Sequence, residues 1–378
     1  MFFLVIIIFL LAWLSSDIYL WCSFVRNAAL LWKVLYWLPT LFFVVLIILS
    51  IVGVRISMTL WLIALIFCLQ QILCALFSVV GRLASLAWHP ASPILNWTGA
   101  VISWVFLIVM LYGMVIGWKV LNTNKIDLEV AGLPASFDGY RIAHLSDFHV
   151  GTHGHRTKYL ESLVRTVNES HPDLIAFTGD LVNIKPSELN PFMETLSSLS
   201  APDGVMSVMG NHDYCFYGHK KGEWVHDCAE VRARESDLGW TLLNNEHRFI
   251  HRGQDSIAVA GVEYCGGMHT DPFVDFPAAM QGISDSTFIL LLDHNPAHWK
   301  MEVVPDGRVA LTLSGHTHAA QLKIGKWSPA QWLYKEWSGL YQEGKQKLYV
   351  SEGCGGTVPF RFGTKPEVVI ITLHPEKR

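Results

Sequence analysis

Long apolar runs fill the first third of the chain, and short ones fill the rest. Residues 36–54 (YWLPTLFFVVLIILSIVGV), 58–80 (MTLWLIALIFCLQQILCALFSVV) and 100–118 (AVISWVFLIVMLYGMVIGW) are such runs. Each approaches or exceeds the roughly 20 mainly apolar residues that a helix needs to cross a bilayer. The opening MFFLVIIIFLLAWLSSDIYLW is a fourth, interrupted by Ser15, Ser16 and Asp17. It lacks a basic leading region and a small-residue cleavage site, so it reads as an anchor helix rather than a signal peptide. Trp21, Tyr36, Trp37 and Trp118 stand near the ends of these runs, where aromatic rings favour the membrane interface. A buried helical bundle is the competing reading, disfavoured by the number and length of the runs.

After Trp118 the pattern changes. IDLEV alternates, as a half-buried strand does. YRIAHLSDFHVG, PDLIAFTGDLVN and GVMSVMGNHD are apolar strands that end in polar turns. Between them RTKYLESLVRTVNESH puts Leu160, Leu163, Val164 and Val167 at helical spacing, and ELNPFMETLSSLS is a second helix candidate. Later strands follow in succession: DSIAVAGVEY, FILLLDHNP, VALTLSGHTH, QKLYVSEG and EVVIITL. Early alternation and late succession predict an α/β domain with one mixed sheet or a pair of sheets. The expected organisation is a transmembrane helical region over 1–120, a connector over 121–136 and a soluble domain over 137–378.

Charge sharpens that division. Through Val120 there are five cationic residues (Arg26, Lys33, Arg55, Arg82, Lys119) against Asp17, so the remainder carries −8 of the net −4. Of 17 histidines only His89 lies in the first part. An acidic soluble part without a Lys/Arg cluster argues against a nucleic-acid partner. Seven cysteines show no CxxC and no metal or disulfide spacing; they read as packed thiols and lean towards a reducing, cytoplasmic setting for the soluble part. The positive-inside count is tied: Arg26, Lys33 and Arg82 oppose Arg55, Lys119 and Lys125. Asp17, Gln70 and Gln71 either line a pathway or tie helices together, the second being the commoner use of such groups.

The chemistry sits at strand ends. Five apolar strands run into Asp147-Phe148-His149, Gly179-Asp180, Gly210-Asn211-His212-Asp213, Asp293-His294-Asn295 and Gly315-His316-Thr317-His318. In open α/β sheets ligands gather outside the carboxyl ends of strands, so five such ends converge on one site. Asp, Asn and His suit Mn, Fe, Zn or Mg better than copper. Eight donors or more are too many for one ion and fit two. Two ions clamp an in-line displacement at phosphorus and generate hydroxide near neutral pH, which points to phosphoester hydrolysis.

In this order, D-x-H, G-D, G-N-H-D, H and G-H-T-H resemble the motif set of the calcineurin-like metallophosphoesterases, over about Tyr140 to Leu373. The resemblance implies two mixed β-sheets packed face to face as a sandwich flanked by helices. It implies two divalent metal ions, one taken by Asp147, His149 and His318, the other by Asn211, His294 and His316, with Asp180 bridging. His212 would face the phosphate and protonate the leaving oxygen or stabilise charge, and Asp213 would orient His212. The nearest likeness is to the membrane-anchored branch, whose last block usually reads G-H-T-H-G-G-Q; here Ala319 and Ala320 replace the glycines, and Asn183 stands where Asp is usual.

Taken singly, each motif has a blander reading, since Gly-Asp and a histidine at a strand end are ordinary turn features. Five in order do not. His153 and His155 are either substrate contacts or loop residues, and Arg361 either meets a phosphate or pairs structurally. The aromatics of KWSPAQWLYKEWSGLY either rim the site or pack. The expected function is a membrane-anchored dinuclear-metal phosphoesterase acting on a phosphoester or pyrophosphate bond, with a lipid-linked substrate favoured by the tether. A metal-dependent scaffold or sensor without turnover, and a transporter using the helical bundle, are the alternatives.

Overall fold

In the computed structural model residues 2–54, 56–218, 224–266 and 273–377 are described; Arg55, His219 and His269 lie outside them. The chain divides into two compact units, Met1–Val115 and Ile116–Arg378.

The first unit holds helices α1 (Phe2–Leu20), α2 (Leu30–Ile51), α3 (Met58–Ala84) and α4 (Ala91–Val115). Among the described residues four segments, the last running on to Lys119, are long and apolar enough to cross a membrane. Leu31, Ile48, Leu76 and Ile108 are exposed on them, while Trp13, Phe43, Leu46, Ala64 and Cys68 form a small buried cluster. A helix apolar on nearly every side belongs in lipid. Asp17 is buried and fully engaged: Thr40 Oγ1 donates to Oδ2 at 2.9 Å and Gln71 Nε2 to Oδ1 at 3.2 Å. Gln71 Oε1 in turn accepts from Trp13 Nε1 at 2.7 Å. These bonds join α1, α2 and α3, so Asp17 and Gln71 tie the helices together.

The second unit is a sandwich. Its strands are β1 (Asn122–Val130), β2 (Tyr140–Leu145), β3 (Leu174–Phe177), β4 (Val205–Ser207), β5 (Thr241–Leu242), β6 (Glu246–Arg252), β7 (Asp255–Gly261), β8 (Phe288–Leu292), β9 (Leu311–Ser314), β10 (Gly339–Glu343), β11 (Gln346–Val350) and β12 (Glu367–Pro375). One six-stranded sheet runs β1-β12-β2-β3-β4-β5, the other β10-β11-β9-β8-β7-β6. Both are mixed: β12 is antiparallel to β2, β6 to β7 and β10 to β11, and the other pairs are parallel.

Strand β8 shows why its residues lack alternation. Phe288, Leu290 and Leu292 face the core between the sheets, with Ile142, Val259, Leu313 and Ile371. Ile289 and Leu291 face the outer layer, with Trp299 and Val303. A strand covered on both faces reads as a continuous apolar run. On the other sheet, helix α5 (Lys158–Glu169) buries Leu160, Leu163, Val164 and Val167 against Ala143, Leu145 and Ile175.

Helix α6 (Val225–Asp237) carries a fully buried acid, Glu235, whose carboxylate accepts from Ser207 Oγ. Burial, then the charge of Asp213, push its pKa up to about 8. A raised carboxyl favours the fold below its unfolded value and loses that contribution as pH rises towards the folded one. The stability of the wild type relative to Glu235→Gln is expected to fall between pH 5 and pH 9, by on the order of 4 kcal/mol. Unfolding midpoints of both proteins across that range measure it; parallel curves refute it.

Candidate metal centre

Five strand ends deliver the polar residues. Asp147 and His149 follow β2, Asp180 follows β3, Asn211, His212 and Asp213 follow β4, His294 follows β8, and His316 and His318 follow β9. Asp147, His149, Asp180, His316 and His318 all have left-handed backbones, with φ of 57°, 44°, 60°, 71° and 49°. Such conformations are costly for residues with a Cβ and persist where the surroundings dictate them. Here the turns brace one another: Asp147 N–H donates to Gly179 O at 2.8 Å, His149 N–H to Asp180 O at 3.1 Å, and Gly315 N–H to His294 O at 3.0 Å. Gly210 and Gly315 serve close approach, since a Cβ would fall on the Asp180 carboxylate at the first and on Ser146 Oγ and the Asp147 carboxylate at the second.

The donors form two sets with a common member. Asp147, His149, Asp180 and His318 each offer a ligand atom, all within 4.8 Å of one another, and so do Asp180, His294 and His316. In the first set His149 Nε2 lies 3.2 Å from His318 Nε2 and 3.4 Å from Asp180 Oδ2, and His318 Nε2 lies 3.4 Å from Asp147 Oδ1. In the second, His294 Nε2 lies 3.3 Å from Asp180 Oδ2, 3.2 Å from His316 Nδ1 and 3.2 Å from Asn211 Oδ1. One oxygen, Asp180 Oδ2, faces both. Two donors each about 2.1 Å from a shared ion, at tetrahedral to octahedral angles, stand about 3.0–3.4 Å apart. The observed spacings match, and the buried Asp/His cluster fits a dinuclear metal site.

The rings are aimed by their other nitrogens. His294 Nδ1 donates to Thr178 O at 2.6 Å, freeing Nε2. His316 Nε2 pairs with the Tyr334 hydroxyl at 2.8 Å, leaving Nδ1 for the site. Orientation of this kind is what outer partners give to a ligating imidazole. Burial drives His149 and His316 down to about 3, and His318 well below its ordinary value, so these rings stay neutral. Burial opposes charge on His294 too, but Asp180 and Asp147 raise it to about 10. Burial likewise opposes charge on Asp180, but the neighbouring imidazoles, His294 foremost, hold its carboxyl well below the usual range. Burial pushes Asp147 up to about 7. The site thus gathers three neutral imidazoles and places its positive charge on His294, beside Asp180.

One expectation is corrected. Asp213 does not orient His212: its carboxylate accepts the N–H groups of Asp180 (2.7 Å), Leu181 (2.8 Å), Val182 (3.1 Å) and Gly210 (2.9 Å). Those amides converge on a single buried point, which a carboxylate satisfies best. His212 Nδ1 instead donates to Asn183 O at 2.6 Å. Arg361 makes no hydrogen bond to a residue of either donor set. It is buried and donates to the carbonyls of Glu352, Gly353 and Gly355, closing the loop before β12. His153 and His155 belong to neither donor set. Two tyrosines carried no motif yet touch the site: Tyr334 on His316, and Tyr217, whose hydroxyl accepts from Asn211 Nδ2 at 3.0 Å.

A family model described as calcineurin-like phosphoesterase matches residues 140–320. YkuE of Bacillus subtilis, named as an uncharacterized metallophosphoesterase, is 31% identical over 263 residues, which cover 67% of this chain and 85% of that protein. The chain belongs to the calcineurin-like phosphoesterases. It is also similar to a transmembrane protein with metallophosphoesterase domain from Danio rerio, 28% identical over 70% of this chain and 60% of that protein. UDP-2,3-diacylglucosamine pyrophosphatase LpxG of Chlamydia muridarum is 23% identical over 78% of this chain and 98% of that protein. As a calcineurin-like phosphoesterase the chain is a metal-dependent phosphoric ester hydrolase associated with a membrane.

Its two departures from the usual motifs have physical readings. Asn183 uses both ends of its amide, accepting Thr152 N–H at 3.1 Å and donating to Thr152 Oγ1 at 2.9 Å, so it joins the His149 turn to the Asp180 turn, while its backbone carbonyl takes His212 Nδ1. Ala319 and Ala320 keep left-handed backbones, with φ of 49° and 51°, the conformation glycine adopts freely. Ala320 is exposed. Ala320→Gly is expected to stabilise the protein by about 1 kcal/mol, read as a rise in unfolding midpoint. A fall in the midpoint contradicts the strain.

Proposed function

We propose that the chain is a membrane-anchored, dinuclear phosphoesterase that cleaves a phosphoester or pyrophosphate bond of a lipid-linked substrate. Asp147, His149 and His318 would hold one divalent cation, Asn211, His294 and His316 the other, with Asp180 between them. The observation that carries this reading is the single Asp180 oxygen faced by His149 on one side and His294 on the other.

Bound there, divalent cations supply charge neutralisation at a phosphoryl group and a lowered pKa for water. The chain's residues do the rest. The Asn183 carbonyl fixes the His212 proton on Nδ1, so Nε2 is the atom that can carry a second proton to a leaving oxygen. The His212 ring is set between the rings of His149 and Tyr217, with centroids at 4.7 and 4.5 Å. Asp213 holds the backbone that carries Asp180 and His212 rather than taking part in proton transfer.

Support for a lipid-linked substrate is local. Trp332 and Leu333 are 76% and 82% exposed, next in sequence to Tyr334, which bonds His316. Apolar residues so exposed at the mouth of a polar site suit an apolar tail. The similarity to LpxG, whose name gives it a diacylated nucleotide-sugar substrate, points the same way. The test incubates a total lipid extract with the manganese-supplemented wild type and with His212→Ala, followed by mass spectrometry. Release of a phosphorylated headgroup or a lipid phosphate by the wild type alone is the expected result. Turnover confined to water-soluble phosphodiesters removes the lipid from the proposal, and no turnover of any phosphoester removes the enzyme.

A further inference from the structure

A second cavity, of about 540 Å³, is lined by Trp118, Lys119, His153, Arg156, Lys158 and Tyr159 among others. Its walls all belong to the unit Ile116–Arg378 and none is a carboxylate. Lys119, Arg156 and Lys158 are exposed, and among the described residues none of the three pairs with an acid. Lys119 Nζ and Arg156 Cζ lie 5.4 and 5.8 Å from the Trp118 ring. Three unpaired cations about one cavity call for an anion.

Two further features line the same space. Helix α5 starts here, and Thr157 gives it no side-chain cap, so its first amides are free to meet an anionic group. His153 is 2% exposed, stacks on Tyr159 at 4.8 Å with 9° between the planes, and has no hydrogen-bond partner for Nε2. A buried imidazole nitrogen left unpartnered is uncommon enough to need a reason. Burial, aided by Arg156, holds this ring down to about 4, so it is neutral and offers one N–H.

Position in the chain names the source of the anion. Trp118 and Lys119 are the last residues of the fourth apolar span, Ala91–Lys119. A Trp-Lys pair closing a span belongs at the headgroup level, where the aromatic ring and the cation both find partners. We propose that this cavity binds the phosphate of an anionic phospholipid headgroup, as a site separate from the metal centre. Lys119, Arg156, Lys158 and the first turn of α5 take the phosphate, and Trp118 and Leu121 offer the apolar wall for the glycerol end. The inference stands whether or not the metal-centre assignments hold.

The test uses the full chain in mild detergent and native mass spectrometry with added phosphatidylglycerol, phosphatidylcholine or inorganic phosphate. The wild type is expected to take its first phosphatidylglycerol at least tenfold more tightly than phosphatidylcholine. Arg156→Ala/Lys158→Ala is expected to weaken that binding about 25-fold, at about fivefold per cation; both residues are exposed, so folding is spared. His153→Phe keeps the ring on Tyr159 and is expected to weaken it too. His212→Ala is expected to leave it unchanged. Equal binding by wild type and the double variant, loss of binding in His212→Ala, or inorganic phosphate held as tightly as the lipid overturns the proposal.

Discussion

Asp180→Asn is expected to lower kcat/KM by at least 10³-fold, about 4 kcal/mol of transition-state stabilisation, and to cut bound metal from two ions per chain to one or none. The substitution keeps size and shape. It removes the one carboxylate oxygen that stands 3.4 Å from His149 Nε2 and 3.3 Å from His294 Nε2. The other oxygen accepts the His212 N–H at 2.8 Å, so the amide must choose. With its oxygen on that N–H, its NH₂ faces both donor sets, where a cation belongs. Turned round, it sets two donors against each other. Neither arrangement restores the negative charge that two dications need between them. Asp147→Asn touches one donor set and is expected to remove one ion only. Elemental analysis of the purified variants, with turnover of a phosphodiester, measures both effects. Two ions retained with turnover within tenfold of wild type removes Asp180 from its place between the sets.

Much of this site was legible because strand ends announce themselves. An apolar run that stops at Gly-Asp or Gly-Asn-His-Asp gives both a boundary and a donor. The membrane helices were legible by length alone, since no soluble helix needs 20 apolar residues on every side. What escaped the sequence depended on contacts between distant segments. Strand β1 pairs in parallel with β12, Asn122 opposite Glu367; nothing near residue 122 encodes that partner. The family resemblance implies that Asp213 orients the His212 imidazole. The structure turns the carboxylate to four amides of the neighbouring turns instead. For Arg361 charge alone leaves a phosphate contact and a structural role open, and its bonds to carbonyls in a closed loop are structural. Tyr217 sits in a segment without a motif and reaches the site only through the fold, whereas Tyr334 comes from the aromatic stretch that offered a rim. The left-handed backbones at five donor positions escape the sequence too, because Asp and His, though enriched in that region, signal it far more weakly than glycine does.

His212→Ala is expected to separate proton delivery from metal binding. Its ring lies beside His149 without a place in either donor set, so both ions are expected to stay. What goes is Nε2, the one nitrogen that the Asn183 carbonyl leaves free on the other side of the ring. The size of the loss therefore depends on the leaving group. An alkyl ester departs as a strongly basic alkoxide and needs the proton, so its kcat is expected to fall 10²–10⁴-fold, the usual contribution of a placed general acid. A p-nitrophenyl ester departs as a stabilised phenolate and needs little help, so its loss is expected to be at least tenfold smaller. A residue that merely shaped the pocket would reduce both alike, and one that held a cation would lose metal as well. The paired measurement, kcat on the two esters at matched metal content, distinguishes the three, and equal losses on both esters end the case for His212 as the acid.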